Sequence, residues 1–380
     1  MRILLIGNYP LDRQESMLRY AALLQRELVA AGHVVTLLQP RPLLGRLVRS
    51  GSGLGKWLGY IDKFLLFPTH IQRALPECDL VHICDHSNSI YVRALGTKPH
   101  VVTCHDVLAI TSALGEVPEN RVSATGRKLQ QMILSGLKQA QFIVCVSTHT
   151  QQQMLRVTGR PASSSAVVLS SLPYPYSPMP REEAIQRLDA LGYDARQPFL
   201  LHVGSSTWYK NRLGLLRIFD RFHKLPGQAT ARLLMVGDPL AGEVALYIRR
   251  KGLESRVVQL GGLSNEDLRA TYSLAEAFLF PSLTEGFGWP LLEAQACGCP
   301  SFATNRSPMT EVGGSAAMYF DPADPDAAAA IIQSGLPNRD HMGRDGLLNA
   351  SRFSVQQMIE GLVAVYERVL ASASRRGSRA

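Results

Sequence analysis

At 380 residues the chain has room for two or three domains, each able to bury a core. Hydrophobic residues make up 46% and charged residues 19%, which excludes a disordered or fibrous protein, and no apolar run is long enough to span a bilayer. The formal charge of +9, from 40 Lys and Arg against 31 Asp and Glu, favours phosphorylated ligands, anionic membrane surfaces or nucleic acid.

The first apolar run, Ile3 to Ile6, reads as a buried strand stopped by Gly7, Asn8 and Pro10. It is too short for a signal peptide and no small-residue cleavage site follows it, so a cytoplasmic location is expected. A helix is predicted from about Ser16 to Ala31, with Met17, Tyr20, Leu24 and Leu28 on its apolar face and Gly32 as its stop. Val34–Leu38 is the next strand. The segment 41–68 mixes Arg41, Arg46, Arg49, Lys56 and Lys63 with Leu43, Trp57, Tyr60, Phe64 and Phe67. Two readings fit it. One is an ordinary loop and helix packed on the first domain. The other is a basic, aromatic surface that makes peripheral contact with the inner face of a membrane or holds a lipid-linked acceptor.

Further strands are predicted at Leu80–Cys84, Val101–Cys104, Phe142–Val146 and Ala166–Leu169, alternating with helical patterns. The proline-rich stretch from Leu172 to Pro180 can be neither helix nor central strand and reads as a linker. The pattern then restarts with Phe199–Val203, Leu233–Val236, Val257–Leu260, Ala277–Phe280 and Ser301–Ala303. The fold class expected is therefore α/β, two units side by side with a cleft between them. A last helix is predicted from Phe353-Ser354 to about Leu370, followed by a basic, solvated tail with Arg375, Arg376 and Arg379. The divisions are a first domain over 1–172, a linker over 173–183, a second domain over 184–350, the last helix over 351–370 and the tail over 371–380.

In open parallel sheets ligands bind outside the carboxyl ends of the strands, and the unusual residues collect there. After Phe199–Val203 come Gly204, Ser205, Ser206, Thr207, Trp208, Tyr209, Lys210, Asn211 and Arg212. A small-residue turn followed by Lys and Arg suits an anion, and equally a solvated loop; it is not a P-loop. After Ala277–Phe280 comes Pro281-Ser282-Leu283-Thr284-Glu285-Gly286-Phe287-Gly288-Trp289-Pro290-Leu291-Leu292-Glu293-Ala294. Glycine amides and a helix start bounded by Pro290 and Gly298 make an anion site suited to a diphosphate. Glu285 precedes the glycines and Glu293 is expected in the first turn of the helix. Carboxylates beside a phosphate site are better placed for sugar hydroxyls than for the phosphate.

The frame from Pro281 to Ala294, with Glu285 and Glu293 separated by seven residues, resembles the signature of retaining GT-B glycosyltransferases of family 4 (glycosyl transferases group 1). The resemblance extends through Leu234-Met235-Val236-Gly237-Asp238, Gly261-Gly262-Leu263-Ser264, Ala303-Thr304-Asn305 and Glu311-Val312-Gly313-Gly314, and more thinly through Gly32-His33-Val34-Val35, His105-Asp106 and Val146-Ser147. It implies a GT-B fold, two Rossmann-like domains facing across a cleft, whose last helix crosses back to the first domain. It implies a hexose transferred from a nucleotide-sugar, GDP-mannose or a UDP-hexose, to a saccharide or lipid-linked hydroxyl in polysaccharide or glycolipid assembly. Glu285 would then lie by the donor sugar, Glu293 at the ribose, and Gly286, Phe287 and Gly288 would present amides. Lys210 would neutralise the diphosphate, His105 would face the sugar, and Gly262 and Leu263 would read the base. Catalytic roles fall to Glu285, His105 and Lys210, and donor contacts extend to Gly204, Ser205 and Arg212.

Two positions depart from the pattern. Ser205 stands where family members usually have an arginine, with Arg212 as the candidate to compensate. Asp12-Arg13-Gln14-Glu15-Ser16 replaces a Gly-Gly turn, which places Arg13 and Gln14 at the acceptor. The alternatives are a nucleotide-sugar epimerase on the same fold and an inactive scaffold that binds a sugar nucleotide. No cofactor, metal site or nucleic-acid partner is expected. Asp324-Pro325-Asp326 reads as a surface loop, and His82, His86 and His105 fit no ligand spacing.

Overall fold

In the computed structural model, residues 1–12, 14–43 and 58–377 are described. The chain divides into two compact units, Met1–Pro173 with Val355–Ala380, and Tyr174–Ser354. Each unit is a six-stranded parallel sheet wrapped by helices, the α/β class read from the alternating pattern.

In the first unit the strands are β1 (Arg2–Ile6), β2 (Val34–Leu38), β3 (Leu80–Ile83), β4 (His100–Cys104), β5 (Phe142–Cys145) and β6 (Ser165–Val167), ordered β2-β1-β3-β4-β5-β6. The chain runs outward from β1 to β2, then returns to place β3 on the other side of β1. That reversal opens a crevice at the carboxyl ends of β1 and β3. Helix α1 (Glu15–Ala30) buries Tyr20, Ala21, Leu23, Leu24 and Leu28, the stripe expected from a 3.6-residue period. Gly32, at φ +83°, ends it.

The last helix (Val355–Gly377) belongs to this unit. Tyr366 carries it: its hydroxyl lies 2.6 Å from His82 Nδ1, and His82 Nε2 lies 2.7 Å from Thr103 Oγ1. All three side chains are fully buried, and the hydrogen bonds compensate that burial. The helix continues past Leu370, so the predicted tail is helical as far as Gly377. Ala371 to Arg375 are compatible with a helix and no breaker precedes the glycine.

The core of 41–68 lies outside the described residues, since 44–57 are not described. Beyond it, Lys63 pairs with Asp12 at 2.9 Å and stands over the Tyr9 and Tyr60 rings. That lysine is committed to the fold of the first unit.

The second unit has β7 (Leu200–Val203), β8 (Leu233–Val236), β9 (Val257–Leu260), β10 (Ala277–Phe280), β11 (Ser301–Thr304) and β12 (Ala317–Phe320), ordered β12-β11-β10-β7-β8-β9. Strand β12 is an element the sequence reading omitted. Its helices include α2 (Arg212–Phe222), α3 (Gly242–Lys251), α4 (Asn265–Leu274), α5 (Trp289–Ala296) and α6 (Pro325–Gly335). Here the reversal falls between β7 and β10, each flanked by a strand on both sides. Asp324 is not in a loop of its own: its side chain caps α6 by accepting from Ala327 N at 3.0 Å.

Each sheet carries one fully buried histidine, His82 on β3 and His202 on β7. Burial lowers both pKa values to about 3, from an unfolded value near 6.5. Both are therefore neutral in the fold, and the stability they contribute is intact above about pH 6.5 and is lost as pH falls toward 3. Each should cost about 1.4 kcal/mol per pH unit across that window. The His82→Gln, His202→Gln double variant should lose less melting temperature between pH 7 and pH 5 than the parent chain. An equal loss in both would contradict the assignment.

Candidate active site

The second unit's crevice is built by two loops that leave β7 and β10. The β7 loop runs through Gly204 and a single 3-10 turn, Trp208–Lys210, to Asn211. Asn211 takes a left-handed conformation at φ +52° and caps α2, its Oδ1 accepting from Gly214 N at 3.2 Å. Its Nδ2 donates to Pro281 O at 3.1 Å, and Leu283 N donates to Tyr209 O at 2.8 Å. These bonds stitch the β7 loop to the β10 loop.

A third link joins them. Lys210 Nζ donates to Glu285 Oε1 at 2.8 Å, with side chains only 10% and 9% exposed. The ammonium also faces the Phe280 and Tyr209 rings at 5.0 and 5.6 Å. Gly204 makes room for the lysine: a Cβ there would meet Lys210 Cδ and His202 Nε2. Gly237, after β8, has φ +140° and lies so close to the Gly204 carbonyl that any side chain would overlap it.

Gly288 adopts φ +100° and is the N-cap of α5, with no side chain to cap the helix. Its conformation turns the chain from the glycine loop into the helix, whose positive end faces that loop. Phe287 turns inward, 5% exposed, with its ring against Phe353 and Trp289. Glu293 is the fifth residue of α5, so it stands in the second turn and not the first, because the helix begins at Trp289. Its Oε2 accepts a hydrogen bond from Tyr272 at 2.9 Å. Gly262, at φ +69°, and Leu263 form the turn after β9, and Ser264 then opens α4 with a capping box to Asp267.

The first unit places a different cluster at its own crevice. Asn8, just past β1, donates through Nδ2 to Gln14 Oε1 and to Asp85 Oδ2, and Asn88 donates to Asn8 Oδ1 at 3.0 Å. Asp85 also accepts from Ser87 N and Oγ and faces His86 at 3.1 Å. Burial acts to raise the Asp85 pKa, but His86 and these donors hold it well below the carboxylate range. His105, past β4, is buried; its Nε2 lies 2.9 Å from Cys84 O and Tyr20 meets its ring edge-on at 4.7 Å. Burial lowers its pKa against the pull of Asp85, so the imidazole is neutral.

Residues 187–345 match the family Glycosyl transferases group 1, and residues 17–169 match Glycosyltransferase Family 4. Over 98% of the chain the structure superposes on sucrose-phosphate synthase from Thermosynechococcus elongatus, with a TM-score of 0.74, 19% identity and all of that chain covered. The chain is a glycosyltransferase of the GT-B fold. Anabaena HepE, in complex with UDP and glucose, superposes over 97% of this glycosyltransferase and 99% of its own chain, with a TM-score of 0.70 and 19% identity. O-antigen chain mannosyltransferase B of Escherichia coli is 26% identical over 83% of the glycosyltransferase and 84% of its own length. The D-inositol 3-phosphate glycosyltransferase of Corynebacterium jeikeium is 32% identical over 50% and 48%.

Within this glycosyltransferase, the second unit brings Gly204, Lys210 and Glu285 together. Arg212 is not joined to them: its Nη2 donates to Asp238 O at 2.9 Å. It lines a separate depression of about 240 Å³ with Ser206, Thr207 and Trp208, which neither Lys210 nor Glu285 lines. Ser205 spends its hydroxyl on Thr207 at 3.0 Å. In the first unit Gln14 stands in the Asn8–Asp85 network, and Arg13 lies outside the described residues. Sequence reasoning missed Tyr272, Asn8 and Asp85. Tyr272 lies in a helix with no motif of its own, while Asn8 and Asp85 follow β1 and β3 at the positions where ligand groups gather.

The Lys210–Glu285 pair yields a stability prediction. Glu285→Ala leaves a buried ammonium without its counter-charge, a loss of about 3–5 kcal/mol. The Lys210→Met, Glu285→Ala double variant removes both charges and should recover a large part of it. Denaturant unfolding of these two variants and of Lys210→Met alone checks this. Simple addition of the single losses would show that the pair is not coupled.

Proposed function

We propose that this glycosyltransferase transfers a hexose, with mannose as first choice, from a nucleotide-sugar to a hydroxyl of a saccharide or lipid-linked acceptor, with retention at the anomeric carbon. The observation that carries the reading is the Lys210–Glu285 ion pair at the strand-order reversal of the second unit, beside the glycine turn that opens α5. The donor's diphosphate takes its place at Lys210 and at the start of α5. Glu285, next to it, accepts from the sugar hydroxyls. Glu293 accepts from the ribose, and the turn at Gly262 and Leu263 faces the base. Mannose and polysaccharide assembly are supported by the likeness to O-antigen chain mannosyltransferase B. A nucleotide-sugar donor is supported by HepE, which has the same fold and is seen with UDP and glucose.

The proposed chemistry is a front-face displacement. The bond between the anomeric carbon and the diphosphate oxygen breaks, and its electron pair leaves with the diphosphate. The acceptor oxygen bonds to the anomeric carbon on the same face, and its proton passes to a leaving phosphate oxygen. Lys210 opposes the negative charge that grows on that phosphate, the place where a preorganised charge lowers a barrier most.

A thermal-shift screen tests the donor. At a hundred times its dissociation constant, the true donor should add about 2.7 kcal/mol of stability. GDP-mannose should stabilise more than UDP-glucose or UDP-galactose; no shift with any nucleotide-sugar would sink the reading.

Glu285 and Glu293 should separate in kinetics. Glu293→Ala removes binding made equally in ground and transition states, so donor KM rises and the bare nucleoside diphosphate binds less tightly. Glu285→Ala should lower kcat by about a hundredfold or more. It should also tighten bare nucleoside diphosphate about tenfold, or ~1.4 kcal/mol, because Lys210 then has no competing carboxylate. Calorimetry beside steady-state kinetics measures both. Weaker nucleotide binding by Glu285→Ala would place that carboxylate at the ribose.

A further inference from the structure

Glu293 stands half-buried in the second turn of α5, on a side chain with three rotatable bonds. Fixing such a chain costs up to about 1.5–2 kcal/mol of conformational freedom. A hydrogen bond within the fold contributes to this. Tyr272, in the last turn of α4, donates its hydroxyl to Glu293 Oε2 at 2.9 Å across 21 residues of sequence.

The tyrosine is built to hold still. It is fully buried, with the Tyr176 ring edge-on at 6.0 Å and the Phe278 ring edge-on at 5.5 Å. Together they leave the phenol little freedom of orientation. Burial, and then the Glu293 carboxylate, push its pKa well above the usual tyrosine value, so the hydroxyl remains a donor at any working pH. The same helix begins at Ser264, directly after the Gly261–Leu263 turn. Helix α4 thus ties that turn to the Glu293 carboxylate through one rigid element.

We propose that Tyr272 is a positioning residue for the nucleotide: its hydroxyl orients the Glu293 carboxylate toward a vicinal diol, and so sets the preference for ribonucleotides over nucleotides without ribose hydroxyls. The proposal rests on the reading of Glu293 as the ribose carboxylate. A carboxylate has about four acceptor positions, and one bond from a fixed phenol sets the plane of the others. Because the effect is on ground-state binding, it appears in KM and not in kcat.

The test uses the full chain and calorimetry with GDP and UDP and with their 2′,3′-dideoxy counterparts. The parent chain should prefer the ribonucleotide, and Glu293→Ala should abolish that preference. Tyr272→Phe keeps the ring and its packing. It should reduce the preference at least threefold and raise donor KM by a similar factor, with kcat within twofold of the parent. In the Glu293→Ala background, adding Tyr272→Phe should change nucleotide affinity no further. No preference in the parent chain, or one that survives Glu293→Ala, overturns the ribose reading itself. A preference that depends on Glu293 but is unchanged in Tyr272→Phe overturns the proposal alone. A purely structural tyrosine would lower the melting temperature and leave the ribose-to-dideoxy ratio where it was.

Discussion

The Lys210–Glu285 ion pair is the constraint around which the second unit's crevice is organised. Two opposite charges held at about nine-tenths burial are tolerable only together, since either alone would carry a large desolvation cost. Everything nearby serves to keep them together. The reversal of strand order makes β7 and β10 neighbours, although they are far apart in sequence. Asn211 and the Leu283–Tyr209 backbone bond fix the spacing of the loops, and Gly204 leaves space for the lysine chain. The pair is a stored charge: the ammonium is desolvated and aimed before any ligand arrives, which is what stabilisation of a departing anion requires.

The two units use one topology for two chemistries. In both, the chain reverses direction across the sheet beside its first strand, and polar residues gather at the carboxyl ends there. In the second unit the crevice holds a cation, glycine amides and carboxylates. In the first it holds a network around one buried acid, Asp85, which accepts from Asn8 and Ser87 and faces His86. A carboxylate held by several donors in this way fixes the geometry around it. On the proposed reading this suits a division of labour, with the unit that holds Lys210 and the glycine turn handling the nucleotide-sugar and the unit built around Asp85 handling hydroxyl groups.

Much of the fold was legible because buried parallel strands are short apolar runs bounded by breakers. Val34–Leu38, Leu233–Val236, Val257–Leu260 and Ala277–Phe280 agree residue for residue. Strand β12 was not read, because Ala317 and Met318 favour helix over strand. The helix beyond Leu370 was hidden by its composition, since Arg and Ser suggest a solvated tail while their helix propensities permit another turn or two. Glu285, Glu293 and Lys210 could be singled out from their local frames. Their partners could not. Lys210 finds Glu285 across 75 residues, and Tyr272 finds Glu293 through packing of two helices, neither of which leaves a periodic trace. Arg212 shows the converse: its position two residues past Lys210 suggested a shared task, but the start of α2 carries its head to the Asp238 carbonyl.

On the proposed reading the donor's diphosphate engages Lys210 at this crevice. A crystal structure with bound GDP tests it most directly. The β-phosphate should lie within hydrogen-bond distance of Lys210 Nζ, with the Lys210–Glu285 contact lengthened or broken and the ribose on Glu293. A diphosphate bound elsewhere, with the 2.8 Å ion pair intact, would contradict it.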